Sequence, residues 1–445
     1  MENYLAYKII KMSECSSVDW KKDSRRNHTV WIQGELKISD YKEDNSRKDS
    51  IHAEAEMYKR LGYIEECKWA EEKNNLYWIK YSDTQKEKFY EIIGRIPKYQ
   101  RIAEYTEEMS QRLARTSKVW IQAYYKKIIE KLQKGEIPEE FEMKLKDDKM
   151  HRPFPSEEEM QYAFMPHHKY DLVFQCLDAL DELEDPMYKR VFSKKYFKDS
   201  KIFEKKKIIG KATLQDIIVS LVKQYGVSDP DIALDENMSA QDLLPQILIE
   251  EYGATLNIKG SLNIILDGKE IDLGNMVYGS ELNSDTLKYA EISGNQNIKK
   301  IITIENKANY MSMPYEDGTL LIFSHGYPSP LERKFLSKLY QILKGQQVAY
   351  YHTGDLDYGG VCIFRYIRTR IFPELKPYQM DVETYHKYME EWGNALGENE
   401  TDTKRKCEKL RKIEEPLLQE LIDEIVACGV GIEQESFLIK MEETY

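Results

Sequence analysis

Asp355 and Asp357 stand two residues apart in His352-Thr353-Gly354-Asp355-Leu356-Asp357-Tyr358-Gly359-Gly360, and Glu305 stands alone about fifty residues upstream in Ile301-Ile302-Thr303-Ile304-Glu305-Asn306-Lys307. Residues i and i+2 of an extended segment point the same way. Carboxylates forced onto one face raise each other's proton affinity unless a cation lies between them, and a hard divalent ion is the usual resident of an all-oxygen site. Glu305, Asp355 and Asp357 therefore read as catalytic residues and as ligands of Mg2+ or Mn2+. One ion held by the two aspartates, with Glu305 as a further ligand or as general base, would lower the pKa of a bound water and offset charge on a phosphate. A second ion fits if substrate phosphates complete its shell. Taken singly, each acid has a plainer role, because a strand-end Glu can cap a loop and Asp favours turn amides.

The elements that must position these acids are legible in the surrounding pattern. Lys300 to Ile304 is a short apolar strand ending at Glu305, Thr319 to Phe323 is a second, and Val348 to Thr353 is a third, with Asp355 and Asp357 just beyond it. Leu331 to Leu343 and Val361 to Phe372 carry helical spacing. Strands alternating with helices imply a parallel sheet, and ligands of such sheets bind beyond the carboxyl ends of the strands. His325 and His352 lie near strand ends of the same sheet, where packed and hydrogen-bonded roles outweigh phosphate contact or proton transfer. Lys307 is close enough to balance phosphate charge, although a lysine at such a position is usually solvated. No Gly-Lys-Ser or Gly-Lys-Thr follows the glycines, so the chain is not expected to hydrolyse ATP.

A Glu at one strand end followed by Gly-Asp-Leu-Asp-x-Gly-Gly at another resembles the Toprim domain of topoisomerases, primases and related nucleases. Ile304-Glu305-Asn306, Gly354 to Gly360, Gln379-Met380-Asp381 and Gly431-Ile432-Glu433-Gln434-Glu435 more narrowly resemble the JetD family, the nuclease subunits of Wadjet anti-plasmid systems. Arg190-Val191-Phe192-Ser193 with Asp199-Ser200-Lys201 is similar to a signature that precedes the Toprim domain in that family. The likeness runs from about residue 170 to 440. That family in turn resembles the A subunit of topoisomerase VI, in which a winged-helix domain precedes the Toprim domain. The resemblance implies metal-dependent cleavage of duplex DNA, a homodimer with one site per strand, and an SMC-like motor complex that hydrolyses ATP. Two other readings are carried with it: a tyrosine transesterase like topoisomerase VI A, and a non-catalytic DNA-binding scaffold holding a structural ion.

Composition bounds the remainder. With 445 residues, 41% apolar and 32% charged, the chain is long enough for two to four domains with real cores. No apolar run approaches membrane-spanning length, no secretory start is visible, and the six cysteines are dispersed without a Cys-x-x-Cys pair, so a cytoplasmic location without zinc or disulfides is expected. The net charge of −12 counts against nucleic-acid binding until its distribution is considered. Lys189 to Lys211 gathers Lys194, Lys195, Lys198, Lys201 and Lys205 with several further cations and interleaved aromatics. That segment reads either as a DNA-backbone surface or as a solvated helix face; the resemblance favours DNA.

The expected fold is therefore multidomain, α/β plus α+β. It comprises a winged-helix-like module over 1–82, a helical arm and linker over 83–158, a central winged-helix-like DNA-binding domain over 159–292, and a Toprim-like parallel sheet flanked by helices over 293–445. Helical pattern from Ser50 to Arg60 and a hairpin around Glu72 to Asn75 support the first, and Asp267-Gly268 is the strongest hairpin signal in the chain, read as part of a wing. The adjacent His167-His168 pair lacks metal-ligand spacing and reads as surface polarity.

Overall fold

The structure is a computed structural model, and it describes residues 3–22, 27–32, 45–70, 75–142, 170–235 and 238–439. His167, His168 and the expected turn residues 72–74 lie outside the described residues. The chain divides into two compact units, one formed by 1–181 with 208–210 and the other by 182–207 with 211–445.

The first unit starts with a helix, Tyr4–Cys15, whose leading N–H groups of Tyr4 and Leu5 are both satisfied by the buried Glu54 carboxylate at 3.0 and 2.8 Å. Glu54 lies on the helix Asn45–Arg60, as the apolar spacing from Ser50 predicts. Strands Glu66–Trp69 and Leu76–Tyr81 pair antiparallel, and His28–Trp31 adds a third strand on the far side of Leu76–Tyr81. Leu5, Ile9, Tyr58, Ile79, Tyr81 and Phe89 close one apolar core between these elements.

The expected arm resolves into three helices, Asp83–Ile92, Lys98–Arg115 and Val119–Gln133, and the latter two pack against each other within the first unit. The break at Thr116 to Lys118 was not anticipated because its stabilising partner is remote. The Asp181 carboxylate accepts from Ser117 N at 2.9 Å and Lys118 N at 2.8 Å, capping the last of these helices from the end of the helix Asp171–Asp181.

In the second unit a six-stranded sheet positions the three acids. In spatial order its strands are Ser280–Asn283, Thr255–Gly260, Thr319–Phe323, Lys300–Ile304, Ala349–Thr353 and Lys376–Pro377. The last four run parallel, and Thr255–Gly260 runs antiparallel to both of its neighbours. Lys300–Ile304 is at the centre, and its Ile-Ile-Thr-Ile run suits a strand covered on both faces. Helices Pro330–Leu343 and Tyr358–Arg370 connect the parallel strands, the first through a Ser329/Glu332 capping box with Pro330 at its start.

One detail differs from expectation. Thr255–Gly260, read as part of a wing, is a strand of this same sheet, so a domain limit at 292/293 runs through the sheet instead of beside it. The reason is visible at Gly260, where a side-chain Cβ would lie 1.9 Å from the Thr319 carbonyl oxygen; only glycine allows that approach. The hairpin itself forms as read, Asn263–Leu266 against Lys269–Asp272, with Asp267 and Gly268 both at positive φ, 49° and 72°.

Candidate functional site

Glu305 directly follows its strand and Asp355 lies two residues beyond the neighbouring one, with Ile304 and Thr353 as register partners. Glu305 N donates to Thr353 O at 3.0 Å, which extends the ladder to the site's edge. Asp355 N in turn donates to Glu305 Oε2 at 3.2 Å. Asp357 is the N-cap of Tyr358–Arg370 and accepts from Gly360 N at 2.8 Å.

The glycines of the motif are steric requirements. A Cβ on Gly354 would fall 2.3 Å from Glu305 Oε2, and one on Gly360 would fall 2.0 Å from the Asp355 carbonyl oxygen. Because the second clash is with backbone, Gly360→Ala is expected to cost about 2–4 kcal/mol and lower the melting temperature by several degrees. An unchanged melting curve would refute this packing role.

A residue missed as functional supports the site from near the end of the chain. Leu356 and Ile432 exchange backbone hydrogen bonds at 2.8 and 3.1 Å, which lays Gly431 to Glu435 alongside the acids. Gln434 is buried, and it donates from its N–H to Asp355 Oδ1 at 2.8 Å and from Nε2 to Thr353 Oγ1 at 2.9 Å, while its Oε1 accepts from Asn306 N at 3.0 Å. It thus fixes the ends of both acid-bearing strands. The motif Gly431 to Glu435 was noticed only through resemblance, since no local pattern shows that it folds back about eighty residues. Of the other quoted motifs, Gln379-Met380-Asp381 serves the fold: Met380 is buried, and Asp381 caps the helix Val382–Trp392 by accepting from Thr384 N at 2.7 Å.

Electrostatics show the neighbouring acids acting on Glu305 and Asp355. Burial, then the neighbouring Asp355, Asp357 and Glu435 carboxylates, push Glu305 from 4.5 up to about 8. Burial likewise lifts Asp355 to about 6, helped by Asp357, Glu435 and Glu433 and opposed by the Gln434 N–H. Negative charge is concentrated here with no paired cation among these causes, the condition in which a divalent ion is favoured. Yet among the described residues no group of three or more His, Cys, Asp or Glu side chains is arranged to hold a metal ion as it stands. Each of the three carboxylates has one oxygen turned to a backbone N–H. The donor chemistry fits a hard cation, and capture would require these side chains to reorient.

The remaining candidates fall outside this cluster. His352 is fully buried, its Nδ1 2.8 Å from Thr303 Oγ1, and burial depresses it to about 3. His325 Nε2 lies 2.8 Å from the buried Glu332, whose carboxylate raises its proton affinity against the effect of burial. Lys307 begins the helix Lys307–Ser312 and is exposed.

The basic segment forms two short helices, Lys189–Phe197 and Ile202–Lys205. Phe192, Phe197 and Phe203 are buried against one another, and Lys194, Lys195, Lys198, Lys201 and Lys205 are all exposed. Ser193 explains the neighbouring signature. Its hydroxyl donates to Asp199 O and accepts from Phe203 N at 3.1 Å, while Asp199 Oδ1 accepts from Lys201 N at 2.8 Å. Lys198 occupies the left-handed turn that this lock creates, with φ 62°. Ser193→Ala is expected to cost about 1–3 kcal/mol by orphaning a buried N–H, measurable by urea unfolding; a stability within a few tenths of a kcal/mol of the parent would contradict the lock.

A mixed, mainly parallel sheet with acids beyond the ends of adjacent parallel strands defines an α/β protein with an acidic strand-end site. Residues 263–444 match the family model described as Wadjet protein JetD, C-terminal. The chain is also similar to Wadjet protein JetD of Bacillus cereus (strain Q1), with 34% identity over 267 residues, 60% of this chain and 61% of that protein. The match thus spans about three fifths of the relative's length. Among the described residues no helix is long and apolar enough to cross a membrane.

Proposed function

We propose that this chain is a divalent-metal-dependent DNA endonuclease that hydrolyses duplex plasmid DNA as the nuclease subunit of a Wadjet-type defence complex, working as a homodimer with an SMC-like motor. In this reading the acidic sheet is Toprim-like, winged-helix-like modules precede it, and the protein acts in the cytoplasm. The observation that carries the reading is the half-buried set Glu305, Asp355 and Asp357 beyond the ends of adjacent parallel strands, whose neighbouring charges help push Glu305 up to about 8. Mg2+ or Mn2+ held there would offset charge on a phosphate and acidify a bound water.

The chain's own residues supply the rest. Asp355 and Asp357 would hold the ion, and Gln434 keeps Asp355 and Thr353 in register. Glu305 is a further ligand or takes the proton from the attacking water at a carboxylate oxygen. The lysines of 194–205 meet phosphates, which position DNA without reading its sequence. Replacing Lys194, Lys195, Lys198 and Lys201 with Glu is expected to weaken duplex binding at least tenfold and reduce the slope of log Kd against log salt by about 3–4, with sequence preference unchanged. A parental slope would leave the segment as a solvated face.

The reading is tested by incubating purified protein with circular and linear DNA and Mg2+ or Mn2+, with and without an SMC-like motor complex encoded beside it. Cutting of circular DNA that requires both the metal and the motor is expected. Absence of any cutting under all combinations, with DNA still bound, would favour the scaffold.

A further inference from the structure

The basic face has aromatic neighbours that its lysines do not account for. Tyr188 precedes the helix Lys189–Phe197 and is 52% exposed, and Tyr252 is 84% exposed. Strand pairing brings them together: Met187–Tyr188 runs parallel to Ile249–Glu250, and Tyr252 follows two residues later. A Cβ on the intervening Gly253 would lie 3.2 Å from the Tyr188 hydroxyl, so the turn that carries Tyr252 rests against the Tyr188 ring. Tyr289, 66% exposed, ends the helix Ser284–Tyr289, and the ion pair of Lys288 with Asp185 at 2.6 Å ties that helix end to the segment just before Tyr188.

Charge around these rings favours a polyanion. Arg190, Lys194 and Lys195 are exposed on the same helix, beginning two residues after Tyr188, and Lys198 follows in the left-handed turn that ends it. Two of the nearby acids are paired, Glu251 with Lys189 at 3.4 Å and Asp185 with Lys288. Scattered exposed tyrosines need no explanation; two exposed ones on neighbouring backbone at the head of a cationic stripe do. A duplex hides the faces of its bases inside the stack, whereas an unpaired strand offers them, and each base stacked on an aromatic ring contributes about 1–3 kcal/mol.

We propose that this face holds an unpaired segment of DNA strand, with its phosphates along Arg190, Lys194 and Lys195 and its bases stacked on Tyr188 and Tyr252. The inference rests on the DNA-binding reading above and adds the strand state of the DNA recognised. It is tested on the full chain by fluorescence anisotropy with a labelled oligo-dT and a duplex of equal length. Y188A/Y252A is expected to weaken oligo-dT binding by about tenfold or more and duplex binding by no more than about twofold, with Y188F/Y252F matching the parent. The Lys194, Lys195, Lys198 and Lys201 charge reversals should weaken both. Parental oligo-dT affinity in Y188A/Y252A, or equal losses for both DNAs, overturns the inference. A parent that binds duplex but not oligo-dT overturns it while leaving the nuclease reading standing; a parent that binds neither overturns both.

Discussion

Glu305→Gln is expected to abolish DNA cutting, by about 10³-fold or more, while making the metal-free protein more stable at alkaline pH. Both effects come from one buried charge. Folding raises Glu305 from 4.5 to about 8, so its contribution to stability is whole below the unfolded value and is lost as pH rises through about 8. Asp355, raised from 3.8 to about 6, adds a loss at lower pH. The metal-free parent should therefore become progressively less stable between about pH 4 and pH 8. Gln keeps the shape and can still accept from Asp355 N, yet carries no charge. It should return roughly 2–4 kcal/mol at pH 8 and little at pH 4. Thermal melts in EDTA across this range give the comparison, and Mg2+ should stabilise the parent more than the variant at pH 8. A flat pH profile in the parent, or parental cutting by the variant, would sink the assignment of this acid.

The parts legible in the sequence were those governed by local rules. The Ile301 to Ile304 run marks a buried strand because β-branched residues continue without a polar break, and Asp267-Gly268 marks a hairpin because both residues tolerate positive φ. The meeting of Glu305 with Asp355 was legible because neighbouring parallel strands end at one edge of the sheet. The remainder depended on partners distant in the chain. Asp181 caps a helix that starts at Val119, Gln434 grips strands ending near 304 and 353, and Thr255–Gly260 and Ser280–Asn283 join a sheet that pattern reading confined to residues after 293.

The helix after Asp357 shows the limit on a smaller scale. Apolar spacing begins at Val361, and from it a helix start near that residue is expected. The Asp357 carboxylate caps the helix three residues earlier, and Gly359-Gly360 permits the tight approach to Asp355 that the earlier start demands. A motif read for its chemistry is thus also a structural corner. Removing an acid from it changes charge and hydrogen bonding together.

That double role decides how the aspartates are to be tested. Asp357→Ala should lose about 1 kcal/mol of helix capping, and Asp355→Ala should leave Gln434 N without its acceptor at a cost of about 1–3 kcal/mol. These costs oppose the relief of carboxylate repulsion, so alanine variants confuse fold with chemistry. Asp355→Asn and Asp357→Asn retain an acceptor oxygen and lose only the charge. Each is expected to melt within a few degrees of the parent and to cut DNA at least about 10³-fold more slowly. In the hydrolytic reading the parent's cleaved ends should be free of protein, because three reoriented carboxylates would hold an ion and orient a water without a nearby hydroxyl. Denaturing gels of end-labelled DNA would then show no label migrating with the polypeptide. Full cutting by the double asparagine variant would remove the metal site. Label trapped on a single tyrosine would instead replace hydrolysis by transesterification and leave the sheet and its acids as described.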